Sequence, residues 1–361
     1  MNTTAAKESS ATNHALEVRA YAAQSATTKL TPYSFQRRAV GLKDILIEIE
    51  YSGICHSDIH QVRDEWGGSI FPMVPGHEIL GTVRNIGSKV TKYKIGDLVG
   101  VGCMVDSCRT CGSCKDNLEQ YCEAGFVPTY NGLETDKKTP TQGGYSTHIV
   151  TNEDYVLRIP IGLDKAGAAP LLCAGITTYS PMRYVGVSKG HKVAVLGLGG
   201  LGHMAVKLAA SFGAEVSVLS SSESKEADAK RLGASSFVVT SKADQVAKFQ
   251  NHFDFIIDTV AAKHDLNQAL NLLKREGTLV MVGASHEPLD LGVFSLIMKR
   301  RKIMGSLIGG LKETQEMLDH CGKHNIVSDI ELISASQINE AYERMIKGQV
   351  KYRFVIDAKT F

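Results

Sequence analysis

The chain has 361 residues, 43% of them hydrophobic and 22% charged, with a net charge of +2, the balance of a globular protein with length for two domains. No run of Lys or Arg concentrates the charge, so nothing electrostatic points to nucleic acid or an anionic membrane as partner. No stretch of about 18 apolar residues is present to make a spanning helix. The opening MNTTAAKESSATNH lacks the apolar core of a secretory signal, and 1–16 reads as a polar, disordered tail.

From 17 to 168 the pattern is β-rich. Ile45, Ile47, Ile49 and Tyr51 alternate with Leu46, Glu48 and Glu50, the period of a half-buried strand. Glycines punctuate short apolar runs from Ile79 to Val101, and Pro32, Pro72, Pro75 and Pro128 mark connecting loops. The grammar changes at about 169. His191–Leu196 reads as a short strand running into a glycine cluster and then a helix over His203–Phe212. Val216–Leu219, Ser236–Val239, Phe253–Ile257 and Thr278–Val282 follow as strands with helical stretches between them, which predicts an α/β, doubly wound parallel sheet over 169–310. The last segment, 311–361, breaks the rhythm with a helix near Glu313–Cys321, a strand, another helix and a final strand Tyr352–Ile356. It is expected to return to the first domain.

Four of the eight cysteines fall at Cys108-x2-Cys111-x2-Cys114-x7-Cys122. Four thiolates so close can wrap one tetrahedral zinc with no open position, the design of a structural site. Clustering of this kind suggests metal binding in a reducing compartment, with cytoplasm as the expectation, rather than a disulfide framework. An iron–sulfur cluster is the rival that spacing leaves open. A dispersed set, Cys55, His77 and Cys173, offers two thiolates and an imidazole with a fourth position free, as catalytic zinc needs. Taken singly, each of these three is equally a buried core residue. Asp58 and Glu78 lie beside them and could fix the His77 tautomer, or be plain solvated surface.

The run Gly197-Leu198-Gly199-Gly200-Leu201-Gly202 follows a strand and opens a helix, the context in which such glycines admit a pyrophosphate to a helix N-terminus. At the end of the next strand an NAD site would place a carboxylate on the ribose hydroxyl. Here stand Ser220, Ser221, Ser222, Glu223, Ser224 and Lys225. Hydroxyls followed by a cation suit a 2′-phosphate. Glu223 argues the other way, and the serines also suit a helix cap. Trp66, the one tryptophan, could line a pocket for an aromatic or medium aliphatic substrate or anchor the core.

These elements in this order resemble the zinc-containing medium-chain alcohol dehydrogenases, and within them the cinnamyl alcohol dehydrogenase-like aldehyde reductases. The resemblance runs from about Val18 to Asp357 and rests on GICHSDIH, PGHEILG, the four-cysteine lobe, LLCAGITTYS, GLGGLGH, SSSESK and VKYRFVID. It implies a GroES-like catalytic domain, a Rossmann domain binding NADP(H), and two zinc ions per chain. Cys55, His77 and Cys173, with Glu78 as an occasional contact, would hold the catalytic zinc, and the four-cysteine lobe the structural one. Asp58 would orient His77. Ser57 would exchange the substrate proton and His60 would pass it toward solvent. Thr177, Thr259, Gly283 and Ser306-Leu307-Ile308 would line the nicotinamide end, Gly197–Gly202 the pyrophosphate, and Ser220, Ser221, Ser222 and Lys225 the 2′-phosphate. Arg353 would meet a cofactor phosphate. A homodimer through the cofactor domain and a small alcohol or aldehyde substrate are implied too. The rivals are an NAD-dependent polyol or formaldehyde dehydrogenase, and an NADPH-binding protein without turnover.

Overall fold

The computed structural model describes residues 15–285 and 287–361. The tail expected over 1–16 lies outside the described residues except at its end, where Leu16 opens the strand Leu16–Ala22.

Two sheets organise the chain. The first is built on the long strand Asp44–Ile54, whose alternation turns Ile45, Ile47 and Ile49 into the interior and leaves Leu46, Glu48 and Glu50 partly exposed. Burying each such side chain contributes about 1.5–3 kcal/mol. Ile79–Ile86, His148–Asn152 and Arg353–Asp357 all pair antiparallel with this strand, and Leu98–Val101 extends the sheet beyond Ile79–Ile86. The chain's last strand therefore does sit in its first sheet: Phe354 lies opposite Ile54, and Ile330–Ile333 adds outside it.

The second sheet has six parallel strands in the order Ser236–Val239, Glu215–Ser220, Lys192–Leu196, Phe253–Asp258, Leu273–Met281, Lys302–Gly305. Sequence order reverses at Lys192–Leu196, the point where a doubly wound sheet opens a crevice at its strand ends. Val193, Val195, Val218, Ile257 and Val280 are buried to 1% or less, because helices cover a parallel sheet on both faces. The sixth strand, Lys302–Gly305, is not among the strands read from the sequence. Its four residues are too few to show a period, and as an edge strand it is only half-buried.

The helix Gly200–Ser211 starts directly from the glycine cluster and packs on the helix Ala174–Tyr184, against which Leu311–His324 also lies. Among the described residues no helix is long and apolar enough to cross a membrane.

Candidate active site

Cys55 directly follows the strand Asp44–Ile54 and is the N-cap of the helix His56–Val62. A cysteine caps poorly, and here the third helical residue does the work. Asp58, fully buried, accepts from the Cys55 N–H at 2.8 Å, the Gly76 N–H at 3.1 Å, His77 Nδ1 at 3.1 Å and the Tyr145 hydroxyl at 3.2 Å. One carboxylate thus ties the Cys55 turn to the His77 turn and leaves His77 Nε2 facing inward. Cys173 arrives at the start of Ala174–Tyr184, its Sγ 3.3 Å from His77 Nε2 and 4.0 Å from Cys55 Sγ.

Cys55, His77, Cys173 and Glu78 place one donor atom each within 4.8 Å of one another, and all four are buried. A tetrahedral zinc with bonds of about 2.3 Å to sulfur has S···S edges of about 3.8 Å, so the set fits that ion. Glu78 Oε2 is buried without a hydrogen-bond partner, an orphaned acceptor that a cation would satisfy. Its other oxygen pairs with Arg353, itself buried. Burial pushes the Glu78 carboxyl up to about 8, against the pull of Arg353. A hydrogen bond from Cys173 holds the Cys55 thiol well below its ordinary value. Burial disfavours charge on His77, but Asp58, with Cys103 and Cys55, outweighs it and holds the imidazole well above its ordinary value.

The second cysteine set is also gathered within 4.8 Å. Cys108 Sγ lies 3.9 Å from Cys114 Sγ and accepts from the Cys111 N–H at 3.4 Å, while the Cys108 N–H points to Cys122 Sγ at 3.4 Å. Backbone N–H groups of Thr110 and Cys111 bring the Cys108 thiol down to about 6. All eight cysteines are free thiols, so the disulfide framework is absent.

A cavity of about 510 Å³ runs from Cys55 and Ser57 to the glycine cluster. Ser57, His60, Gly199, Gly200, Leu201, Thr259, Gly283 and Arg353 line it. Ser57 Oγ stands 3.6 Å from Cys55 Sγ. His60 Nδ1 is paired with Glu65, and Trp66 stacks on the ring at 4.9 Å. Trp66 is 43% exposed and lines the cleft, so it is no core anchor. Glu65 is the functional neighbour that the sequence reading missed; its spacing of five from His60 was the available signal. Cys103 was missed too: it is half-buried beside Cys173, with its thiol on the Leu172 carbonyl at 3.8 Å.

Gly197 takes φ of +89°, and a side chain at Gly202 would strike the Gly197 carbonyl, which is why both positions are glycine. Leu198 is buried beneath the turn. Ser220 ends its strand 5% exposed, its hydroxyl accepting from the Ser222 N–H at 3.2 Å, and Ser221 is exposed. Ser222 is the N-cap of the short turn Glu223–Lys225 but makes no capping hydrogen bond; its hydroxyl meets Ser224 at 2.8 Å. Lys225 Nζ donates to the Leu198 carbonyl at 2.9 Å, which carries the ammonium to the glycine cluster. Glu223 is drawn off to Lys242.

Some expected residues are not in the cleft wall. Thr177 is buried in the first turn of Ala174–Tyr184, donating its N–H to the Cys173 carbonyl at 2.9 Å. Ser306 donates to the Met281 carbonyl at 3.2 Å, Leu307 to the Tyr121 hydroxyl at 3.1 Å, and Ile308 takes φ of +37°. Arg353, expected at a phosphate, does line the cleft, beneath Gly200, with one nitrogen engaged by Glu78.

Residues 41–161 match the family described as alcohol dehydrogenase GroES-like domain, and residues 200–323 the family described as zinc-binding dehydrogenase. The chain is 55% identical to an NADP-dependent alcohol dehydrogenase C of Mycolicibacterium smegmatis over 94% of its own length and 97% of that protein's. It is 54% identical to the aldehyde reductase YahK of Escherichia coli, over 96% and 99%. The structure of a cinnamyl alcohol dehydrogenase from Sorghum bicolor superposes with a TM-score of 0.92 at 45% identity, covering 95% of this chain and 98% of that one, and that of CAD from Helicobacter pylori complexed with NADP(H) with a TM-score of 0.90 at 45% identity, covering 96% and 99%.

Proposed function

Because the chain belongs to the zinc-dependent medium-chain alcohol dehydrogenases, in their cinnamyl alcohol dehydrogenase-like branch, we propose that it interconverts primary alcohols and aldehydes, aromatic or medium aliphatic, by hydride transfer with NADP(H). The observation that carries this reading is the convergence of three things on one cavity: a buried Cys–His–Cys–Glu donor set at one end, Ser57 and His60 between, and the glycine cluster at the other. The names of the M. smegmatis and E. coli relatives agree with the chemistry.

Cys55, His77 and Cys173 hold a catalytic zinc, with Glu78 as the nearby carboxylate, and Cys108, Cys111, Cys114 and Cys122 hold a second. A zinc at the first site supplies Lewis-acid polarisation of the substrate oxygen. Ser57 exchanges the proton at that oxygen, and His60, held by Glu65, passes it to solvent. Asp58 fixes the His77 tautomer. Gly197, Leu198, Gly199, Gly200, Leu201 and Gly202 take the pyrophosphate, Thr177, Thr259, Gly283 and Ser306–Ile308 the nicotinamide end, and Ser220, Ser221, Ser222 and Lys225 the 2′-phosphate. Arg353 holds Glu78 through Nη2 while its Nη1 lies at Gly200, from where it meets a cofactor phosphate. With Glu223 held by Lys242, its carboxylate is drawn from the role it would have at an NAD ribose, which disfavours the NAD-dependent rival.

The catalytic domain spans 17–168 with 311–361 returning to it, and the cofactor domain 169–310. The protein works in the cytoplasm as a homodimer. The free edge of Lys302–Gly305 and the exposed apolar side chains of Val293, Phe294, Ile297 and Met298 nearby support pairing through the cofactor domain. Elemental analysis together with a panel of alcohols and aldehydes tests the reading. Two zinc ions per chain and NADPH-dependent aldehyde reduction are expected; zinc-free protein that still turns over would refute it.

A further inference from the structure

The cleft wall from Thr259 to Ala262 is tied off from behind by a histidine to which the proposed chemistry gives no part. Asp258 ends the strand Phe253–Asp258 fully buried. Its Oδ1 accepts from the Val260 N–H at 3.0 Å, and its Oδ2 lies 2.7 Å from His264 Nε2. The other ring nitrogen, Nδ1, lies 2.8 Å from the Ala262 carbonyl oxygen. Carbonyl and carboxylate oxygens only accept, so each ring nitrogen has to donate, and an imidazole with two N–H groups is the imidazolium cation.

We propose that His264 is a positioning residue for the cofactor: as a cation it straps Ala262 to Asp258 and holds the Thr259–Ala262 turn against the cleft. The turn is anchored at its other end by Thr259, whose hydroxyl donates to the Leu196 carbonyl at 2.9 Å, beside the glycine cluster. The backbone of Asp258 is fixed as well, its carbonyl accepting from the N–H groups of Val282 at 2.9 Å and Gly283 at 3.0 Å. Only the His264 strap depends on a proton. The hydrogen bond to Asp258 raises the His264 pKa above its ordinary value, against partial burial. Among the described residues, the other charged groups around it are Asp265, which caps the helix Leu266–Leu272, Lys263 beside it, and Glu287, 4.0 Å from Lys263. A group whose pKa rises on folding contributes most below its unfolded value, and that contribution is lost as pH rises through the raised pKa. Loss of either ring proton undoes one end of the strap, so NADPH affinity should fall on the alkaline side.

The inference rests on this cleft being the cofactor site, and the test separates the two. NADPH dissociation constants are measured by fluorescence from pH 6 to 9.5 on the zinc-loaded wild type, His264→Arg and His264→Gln, with the ring protonation of His264 read by nitrogen-15 NMR in cofactor-free protein. Expected are two protonated ring nitrogens at neutral pH and wild-type affinity weakening by about tenfold as the second proton leaves. His264→Arg should stay tight and flat, and His264→Gln should be weak throughout, with kcat at saturating NADPH little changed in both. An unprotonated ring nitrogen at pH 6, or a His264→Gln profile that titrates like the wild type, overturns the proposal. A wild type that binds no NADPH at any pH overturns the cofactor-site reading and with it the positioning role, while the NMR signal still decides whether the strap is cationic.

Discussion

Ser57 and His60 sit in the same short helix, three residues apart, with Ser57 nearest the thiolate end of the cleft and His60 toward its mouth under Trp66. That order assigns unequal roles. Ser57→Ala removes the group that exchanges the substrate proton, and a general acid–base step is typically worth 10²–10⁴-fold, so kcat for alcohol oxidation should drop at least a hundredfold. His60→Gln should cost less, since water reaches the outer end of the path, and Glu65→Gln should resemble it because Glu65 acts through the imidazole. Near-normal turnover of Ser57→Ala at neutral pH would remove this relay. Residue spacing made the four-cysteine lobe legible, because its ligands are local. Cys55 and Cys173 are 118 positions apart and meet only when the strand Asp44–Ile54 and the helix Ala174–Tyr184 are packed together. No spacing rule reaches that far; residue types raised the set as one reading among others, and the likeness of whole motifs made it an expectation. Glu223 shows the converse limit: its place in the sequence suggested a ribose ligand, whereas its partner Lys242 comes from the far side of the next strand.

At the scale of elements, the long strand Asp44–Ile54 and the strand–glycine–helix unit were readable because their periods are unmixed. The helix His56–Val62 was not, being seven residues opened by a cysteine and capped by Asp58. The lobe is joined to the segment 306–312, where the cofactor domain gives way to the returning helix, by contacts that no motif announces. Glu119 accepts from the Leu311 N–H at 3.0 Å, and Tyr121 from the Leu307 N–H at 3.1 Å. Cys111→Ser should therefore do more than loosen the lobe, given that structural zinc contributes directly to folding. Hydrogen exchange should rise at 306–312 as well as at 108–122, and protection unchanged at 306–312 would show the two regions uncoupled. The glycine-cluster helix has its own sensitivity. His203 is fully buried, stacked on Tyr352 at 5.0 Å, with Nδ1 3.3 Å from the Gly199 carbonyl oxygen and Nε2 3.0 Å from the Ser328 hydroxyl. Burial lowers its pKa to about 3. Between that value and about 6.5 the unfolded chain binds a proton that the folded one refuses, so this group's contribution to stability falls as pH falls. At pH 5 the loss is about 2 kcal/mol from His203 alone. Denaturant unfolding at pH 7 and pH 5 should show His203→Gln losing less over that interval than the wild type; equal losses would contradict the assignment.

At the scale of the molecule, the two sheets meet along a cleft that neither could form alone, with Cys55, His77 and Glu78 carried by the first, the glycine cluster by the second, and Cys173 brought in at the start of the helix Ala174–Tyr184. The final strand crosses back to pair with Asp44–Ile54, and its first residue, Arg353, bridges toward both sites by pairing with Glu78 and lying under Gly200. This cleft serves NADP(H)-dependent alcohol and aldehyde chemistry. Charge-assisted hydrogen bonds to a 2′-phosphate are roughly twice as strong as neutral ones, so Ser220, Ser221 and Lys225 should favour NADPH by well over about tenfold. The most direct test is kcat/KM for one aromatic aldehyde with NADPH and with NADH, on wild type and Ser220→Asp. The wild type should prefer NADPH strongly, and the added carboxylate should collapse that preference; a wild type that already prefers NADH, or a Ser220→Asp variant with the ratio unchanged, would rule out a 2′-phosphate site at Ser220–Lys225.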